Sequence, residues 1–209
     1  MHRKTLCFIG AGLCLCFLAS AVSAQSIVIV PAGGVSKDMR SVTSNRWNLG
    51  FNLAAHAFYP LSESFWVGAR LAFHNWSVDS AGWAQDVLPS YYNLQSASGS
   101  QTVVEVAPSA RYAFLRKGEG FKLSAQAGLG LFYVSTSEVV LRSTWNTYYS
   151  SGTETRTYSS SSMIGFGIQI GVPIDIGKRI EILPLYSLYT AGGDLYHHIA
   201  LNVGIVLGK

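Results

Sequence analysis

The chain has 209 residues, a formal net charge of +4, and only 12% charged residues against 49% apolar ones. That charged fraction is well under the ~25% of an ordinary soluble domain. The basic residues are scattered and form no Lys/Arg cluster, which excludes a nucleic-acid partner despite the basic balance.

The first 24 residues, MHRKTLCFIGAGLCLCFLASAVSA, carry Arg3 and Lys4, then an apolar run from Leu6, then Val22-Ser23-Ala24 as an A-x-A-like site. This is the layout of a cleaved signal peptide, so residues 1–24 are expected to be removed and residues 25–209 to form one exported domain. Cys14 and Cys16 each follow a leucine, which does not fit a lipoprotein signal. All three cysteines, Cys7, Cys14 and Cys16, lie inside the leader. The exported domain therefore has neither disulfides nor thiolate metal ligands. Losing Arg3 and Lys4 lowers the net charge to +2. Past Ala24 there is no run of the ~20 apolar residues a membrane helix needs.

Period-2 alternation recurs instead. A less regular first strand lies near Ile27 to Val35. From Trp47 to Tyr59, Leu49, Phe51 and Leu53 alternate with Asn48, Gly50 and Asn52. From Phe65, Val67, Ala69, Leu71 and Phe73 alternate with Gly68, Arg70, Ala72 and His74. Val104 to Phe114 sets Glu105, Ser109 and Arg111 against apolar positions, and Phe121 to Tyr133 does the same with Lys122, Gln126, Gly128 and Gly130. Met163 to Gly177 alternates isoleucines with glycines, and Ile180 to Thr190 and Tyr196 to Leu207 complete eight strands. Pro108 and Pro184 fall inside strands, where a missing ladder donor marks a bulge or an edge.

Connections near 60–64, 115–120 and 174–179 are short, whereas those near 36–45, 78–100 and 136–160 are long; the fourth on that side, Ala191 to Leu195, is a tight turn. Short turns at one end and long loops at the other predict an all-β, eight-stranded antiparallel up-and-down transmembrane β-barrel. Closure satisfies every backbone donor and acceptor, as a bilayer requires. The aliphatic face then meets lipid, and the glycine-rich face fills a lumen only wide enough for side chains. A soluble lipocalin-like barrel would need the opposite arrangement and a charged exterior. Aromatic girdles are expected at Tyr59, Phe65, Trp66, Phe114 and Phe121 at the short-turn end, and at Trp47, Trp76, Tyr133, Tyr189 and Tyr196 at the other.

Over its exported length the chain resembles the small eight-stranded outer-membrane barrels typified by OmpA and OmpX. The closing run Asn202-Val203-Gly204-Ile205-Val206-Leu207-Gly208-Lys209 is similar to the assembly signal of that class, except that Lys209 stands where an aromatic or apolar residue is usual. The resemblance implies a cell outer-membrane location with both termini in the periplasm. It further implies outer-membrane lipid and lipopolysaccharide as surroundings and the barrel-assembly machinery as a partner during biogenesis.

Arg70, His74, Glu105, Arg111, Lys122, Glu181 and His198 share the inward phase, with Glu105, His74 and His198 at similar depth and Arg70 one step below. A paired polar network that fills the lumen is expected, in a protein with a structural or surface-interaction, adhesin-like role; a narrow porin-like channel for small or apolar solutes is the alternative. His197 and His198 point to opposite faces, so they cannot grip one ion, and no metal or other cofactor is expected. His74 and Ser77 of HNWS also face apart, and the serine–histidine signature of lipid A-modifying barrels is absent, so no enzyme is expected. The long loop from Ser135 to Met163 is rich in Tyr, Ser, Thr and Gly. Trp145, Tyr148, Tyr149 and Tyr158 are its candidate contacts for an extracellular partner. Its Arg142 and Arg156 are expected to be open to trypsin.

Overall fold

In the computed structural model, described for residues 27–39, 46–118 and 120–207, the alternating segments form strands. The leader and Lys209 lie outside the described residues. The strands are β1 (Val28–Asp38), β2 (Gly50–Pro60), β3 (Phe65–Ser77), β4 (Tyr92–Ser98), β5 (Ser100–Lys117), β6 (Phe121–Thr136), β7 (Val139–Asn146), β8 (Ser151–Tyr158), β9 (Ser161–Gly171), β10 (Ile174–Ile176), β11 (Ile180–Ala191) and β12 (Asp194–Ile205). Among the described residues one short helix, α1 (Ser80–Val87), interrupts them.

Antiparallel pairing runs β1–β2–β3–β5–β6–β9–β11–β12 and returns to β1, so the ring closes. The short β10 lies between β6 and β11 and continues β9. Its registers with both neighbours are those of β9, so Val172 and Pro173 bend one barrel strand without shifting it. This gives the eight staves read from the sequence.

The prolines act differently from expectation. Pro184 stands opposite the Val172–Pro173 bend, where its carbonyl accepts Val172 N–H at 3.1 Å. Around Pro108 the register of β5 with β6 is unchanged, from Val106–Leu131 to Ser109–Gly128; the irregularity falls later, between Ala113 and Leu115. A missing donor costs least where the bond on that side is already absent, and no bulge is needed there.

Outward positions are apolar and open: Leu129 is 69% exposed and Phe166 68%. A continuous band of this kind has no place in water and suits lipid. Inward positions are buried and carry the polar residues and most of the small ones.

At the long-loop end the barrel continues upward. Among the described residues, the second and third long connections carry strands of their own: β4, β7 and β8 form a second sheet in the order β4-β7-β8. Asp79 caps α1 by accepting from Ala81 N–H and Gly82 N–H at 3.0 and 3.3 Å, which satisfies two of the free donors of a helix start. Trp83 of α1 meets Trp47 edge-on at 6.0 Å and Tyr158 at 5.2 Å. These rings join Trp76, Phe132, Tyr189 and Tyr196 in one buried cluster that spans the barrel mouth and the underside of the upper sheet.

That cluster corrects the girdle expectation. Trp47, Trp76, Tyr189 and Tyr196 are buried, and Trp66 is turned toward Lys122 at 4.5 Å. Trp66 and Trp76 share the parity of Arg70 and His74, Tyr189 that of Glu181, and Tyr196 that of His198. Strand parity therefore decides their facing over the usual interfacial preference of aromatic residues. Trp47 precedes β2 and escapes its alternation through a single bridge to Val78.

Candidate functional site

The lumen is filled in layers. Nearest the short turns, Lys122 pairs with Asp175 at 2.5 Å across β6 and β10 and lies over the Trp66 ring. Arg116 also faces Trp66, at 5.8 Å, and these groups line an open cavity of about 480 Å³. Above them, both terminal nitrogens of Arg111 donate to Glu181, and one also donates to Gln126 Oε1 at 2.9 Å. The guanidinium rests on Phe58 at 4.3 Å. A forked, doubly hydrogen-bonded carboxylate is the arrangement that offsets burial of both charges.

In the next layer Arg70 on β3 pairs with Glu105 on β5 at 2.5 Å, both fully buried. The other Glu105 oxygen lies 3.8 Å from His74 Nε2. The His74 ring is 4.4 Å from that of His198, which arrives from β12. Strand phase places these four at neighbouring depths, and the fold brings them into contact. Over them, His74 stacks on Trp76 at 5.5 Å, and Phe132 and Tyr189 present their edges to His198.

Phe132, Tyr189 and Tyr196 stack in sequence, with centroid separations of 4.2 and 5.3 Å, directly beneath the cluster built on Trp83. These rings take up much of the lumen at the long-loop end. Ion pairing is the chemistry these contacts show inside; Ser187 stands opposite His198 in the β11–β12 register but makes no hydrogen bond to it.

The candidate loop residues separate into two kinds. Tyr148 and Tyr149, 96% and 92% exposed, form the tip of the β7–β8 hairpin, their rings 5.2 Å apart. Trp145 lies over Gly152, and Tyr158 packs into the Trp83 cluster, so both serve the sheet rather than its surface. The hairpin is fastened from its flank. Arg156 donates to Glu154 at 2.7 Å and to the Val87 carbonyl at 3.0 Å, and it lies over Tyr92 at 5.3 Å. Hydrogen bonding from Arg156 and then Tyr92 holds the Glu154 carboxyl below its ordinary value. Bonding to Glu154 raises the Arg156 guanidinium and the Tyr92 phenol in turn. Arg142 and Arg156 therefore sit in paired strands rather than in an open loop.

A closed antiparallel barrel with a lipid-facing aliphatic exterior and a packed lumen defines an integral outer-membrane protein. The family model described as outer membrane protein beta-barrel domain matches residues 12–192, and the chain belongs to that family. It is similar to the structure of Ail, the attachment invasion locus protein of Yersinia pestis, with 15% identity over 88% of this chain and 97% of that one and a TM-score of 0.40. It is also similar to Neisserial surface protein A, with 14% identity, coverages of 87% and 97%, and a TM-score of 0.42. A major outer membrane protein from Thermus thermophilus gives 10% identity, coverages of 89% and 100%, and a TM-score of 0.45. No curated protein matches the chain.

Proposed function

We propose that this protein is a closed, non-catalytic barrel whose work is done by its long-loop end, as an adhesin-like surface contact. The observation that carries the reading is the Tyr148–Tyr149 tip, two almost fully exposed aromatic rings on a hairpin held rigid by β4 and by the Arg156 clamp. Aromatic side chains supply contact area at low entropic cost, and holding them in advance lowers the ordering cost of binding. The filled lumen supports the same reading, because a barrel that passes nothing has its exposed loops left as the working surface.

In this reading the tip faces outward from the cell and both termini face the periplasm. Val28 and Ile205, the ends of the first and last staves, lie at the short-turn end, joined there by the Ile29–Leu207 bridge. Residues 1–24 would direct export, and the C-terminal strand would be read by the assembly machinery. Attachment of cells displaying the protein to glycan-coated and matrix-coated surfaces tests the reading, with Tyr148→Ser/Tyr149→Ser as the comparison. We expect the variant to keep a barrel that shifts in mobility on boiling and to lose attachment. Equal attachment by both proteins would move the contact elsewhere.

A further inference from the structure

We propose that His74, His198 and Glu105 form a transition-metal site within the lumen, of which zinc is the natural occupant, and that the ion staples β3, β5 and β12 together. One ligand atom from each residue lies within 4.8 Å of the other two, and all three side chains are fully buried. Strand phase puts these three at similar depth but does not bring them together, and the adjacent His197 points away toward Tyr186.

Two observations point to an ion rather than to packing alone. None of the four ring nitrogens of His74 and His198 makes a hydrogen bond of ordinary length and angle among the described residues, and His74 Nε2 faces Glu105 from 3.8 Å. Buried imidazoles are ordinarily satisfied, since each neutral ring carries a donor and an acceptor. The 3.8 Å between Glu105 Oε2 and His74 Nε2 is too long for a hydrogen bond, yet it suits two ligands on either side of one ion. Zinc–nitrogen and zinc–oxygen bonds of about 2.0–2.2 Å need the three groups to close by about an ångström.

The surroundings are those of a supported site. Trp76 stacks on His74 and fixes its plane, while Arg70 holds the other Glu105 oxygen and leaves Oε2 to ligate alone. Hydrogen bonding to the far oxygen of a ligating carboxylate is a usual orienting device. Arg70 also carries positive charge, which weakens the site; Asp38, opposite His198 in the β1–β12 register, brings a second carboxylate to this level. Two imidazoles and one carboxylate with an open fourth position match zinc's preferences better than those of calcium or magnesium. Stacked rings lie above the site and paired arginines below it, and uptake before β12 closes on β1 is part of the proposal.

Refolding the exported form, residues 25–209, from urea into detergent with zinc chloride, washing with chelator and measuring bound metal tests this. Wild-type protein should retain one zinc per chain when zinc is present during folding and almost none when it is added afterward. His74→Ala and His198→Ala should lose the metal and His197→Ala should keep it, with boiling-dependent gel mobility confirming folded barrels. Cobalt in place of zinc should give visible absorption from nitrogen and oxygen ligation in wild type and not in His198→Ala. Folded wild type that retains no zinc overturns the proposal, and so does zinc retained equally by His198→Ala.

Discussion

Phe132 and Tyr189 lie face to face at the top of the lumen, centroids 4.2 Å apart and planes within 7°, although β9 runs between their strands. Gly130 and Gly167, paired in register, make the room. A Cβ on Gly167 would stand 2.1 Å from the Leu188 carbonyl oxygen and 2.4 Å from Tyr189 Cβ, and one on Gly130 would stand 2.6 Å from the Phe132 ring. Gly167 of β9 is thus small because Tyr189 stacks past it, whereas Gly165 and Gly171 make room for Thr190–Ala191 and for Leu183 and Leu185. Gly167→Val should fail to give a barrel with boiling-dependent mobility. Phe132→Ala should fold but lose about 3–5 kcal/mol in urea titration in lipid vesicles, the usual cost of an aromatic cavity.

The Arg70–Glu105 pair should behave as a buried pair does. Removing one partner strands a charge and costs about 3–5 kcal/mol, whereas replacing both by apolar residues of similar size recovers most of it. Glu105→Ala and the Arg70→Met/Glu105→Met double variant, compared by urea titration without added metal, check this. A single variant as stable as wild type would mean that the pair is not formed.

Acid should loosen the upper sheet before the barrel. The folded Glu154 carboxyl is held below its ordinary value, so its contribution is complete above that value and lost as pH falls through the depressed one. Pepsin digestion at graded acid pH should reach α1 once the Glu154–Arg156 contact releases, with the barrel staves still protected. In Glu154→Gln the same cut should show no such pH step.

Because Arg142 and Arg156 lie in paired strands, trypsin on intact cells should cut this hairpin slowly. A short tag inserted between Tyr148 and Tyr149 should instead be labelled on intact cells, and tags at either terminus only after the outer membrane is breached. Labelling of the terminal tags first would invert the orientation.

The staves were legible because a two-residue period forces inside and outside onto alternate positions, and a bilayer makes both faces unambiguous. The same period gives the facing of Trp76, Tyr189 and Tyr196, where the general preference of aromatics for interfaces misleads. The upper sheet was not legible. Tyr92–Ser98 and Ser151–Tyr158 carry few apolar residues in alternation, and their place beside β7 is fixed by distant groups, Trp83 against Tyr158 and Arg156 against Val87 and Tyr92. The inward phase of His74, Glu105 and His198 was readable strand by strand, but their proximity depends on ring closure and stagger, which no local pattern encodes.

Planar-bilayer recording of the purified, refolded wild-type protein tests most directly the claim that the lumen is filled and the working surface lies outside it. With Arg111–Glu181, Arg70–Glu105 and the Phe132–Tyr189–Tyr196 pile in place, we predict no steady current across the applied voltage range. Large, steady, voltage-independent currents from every inserted molecule would contradict it and make the protein a channel.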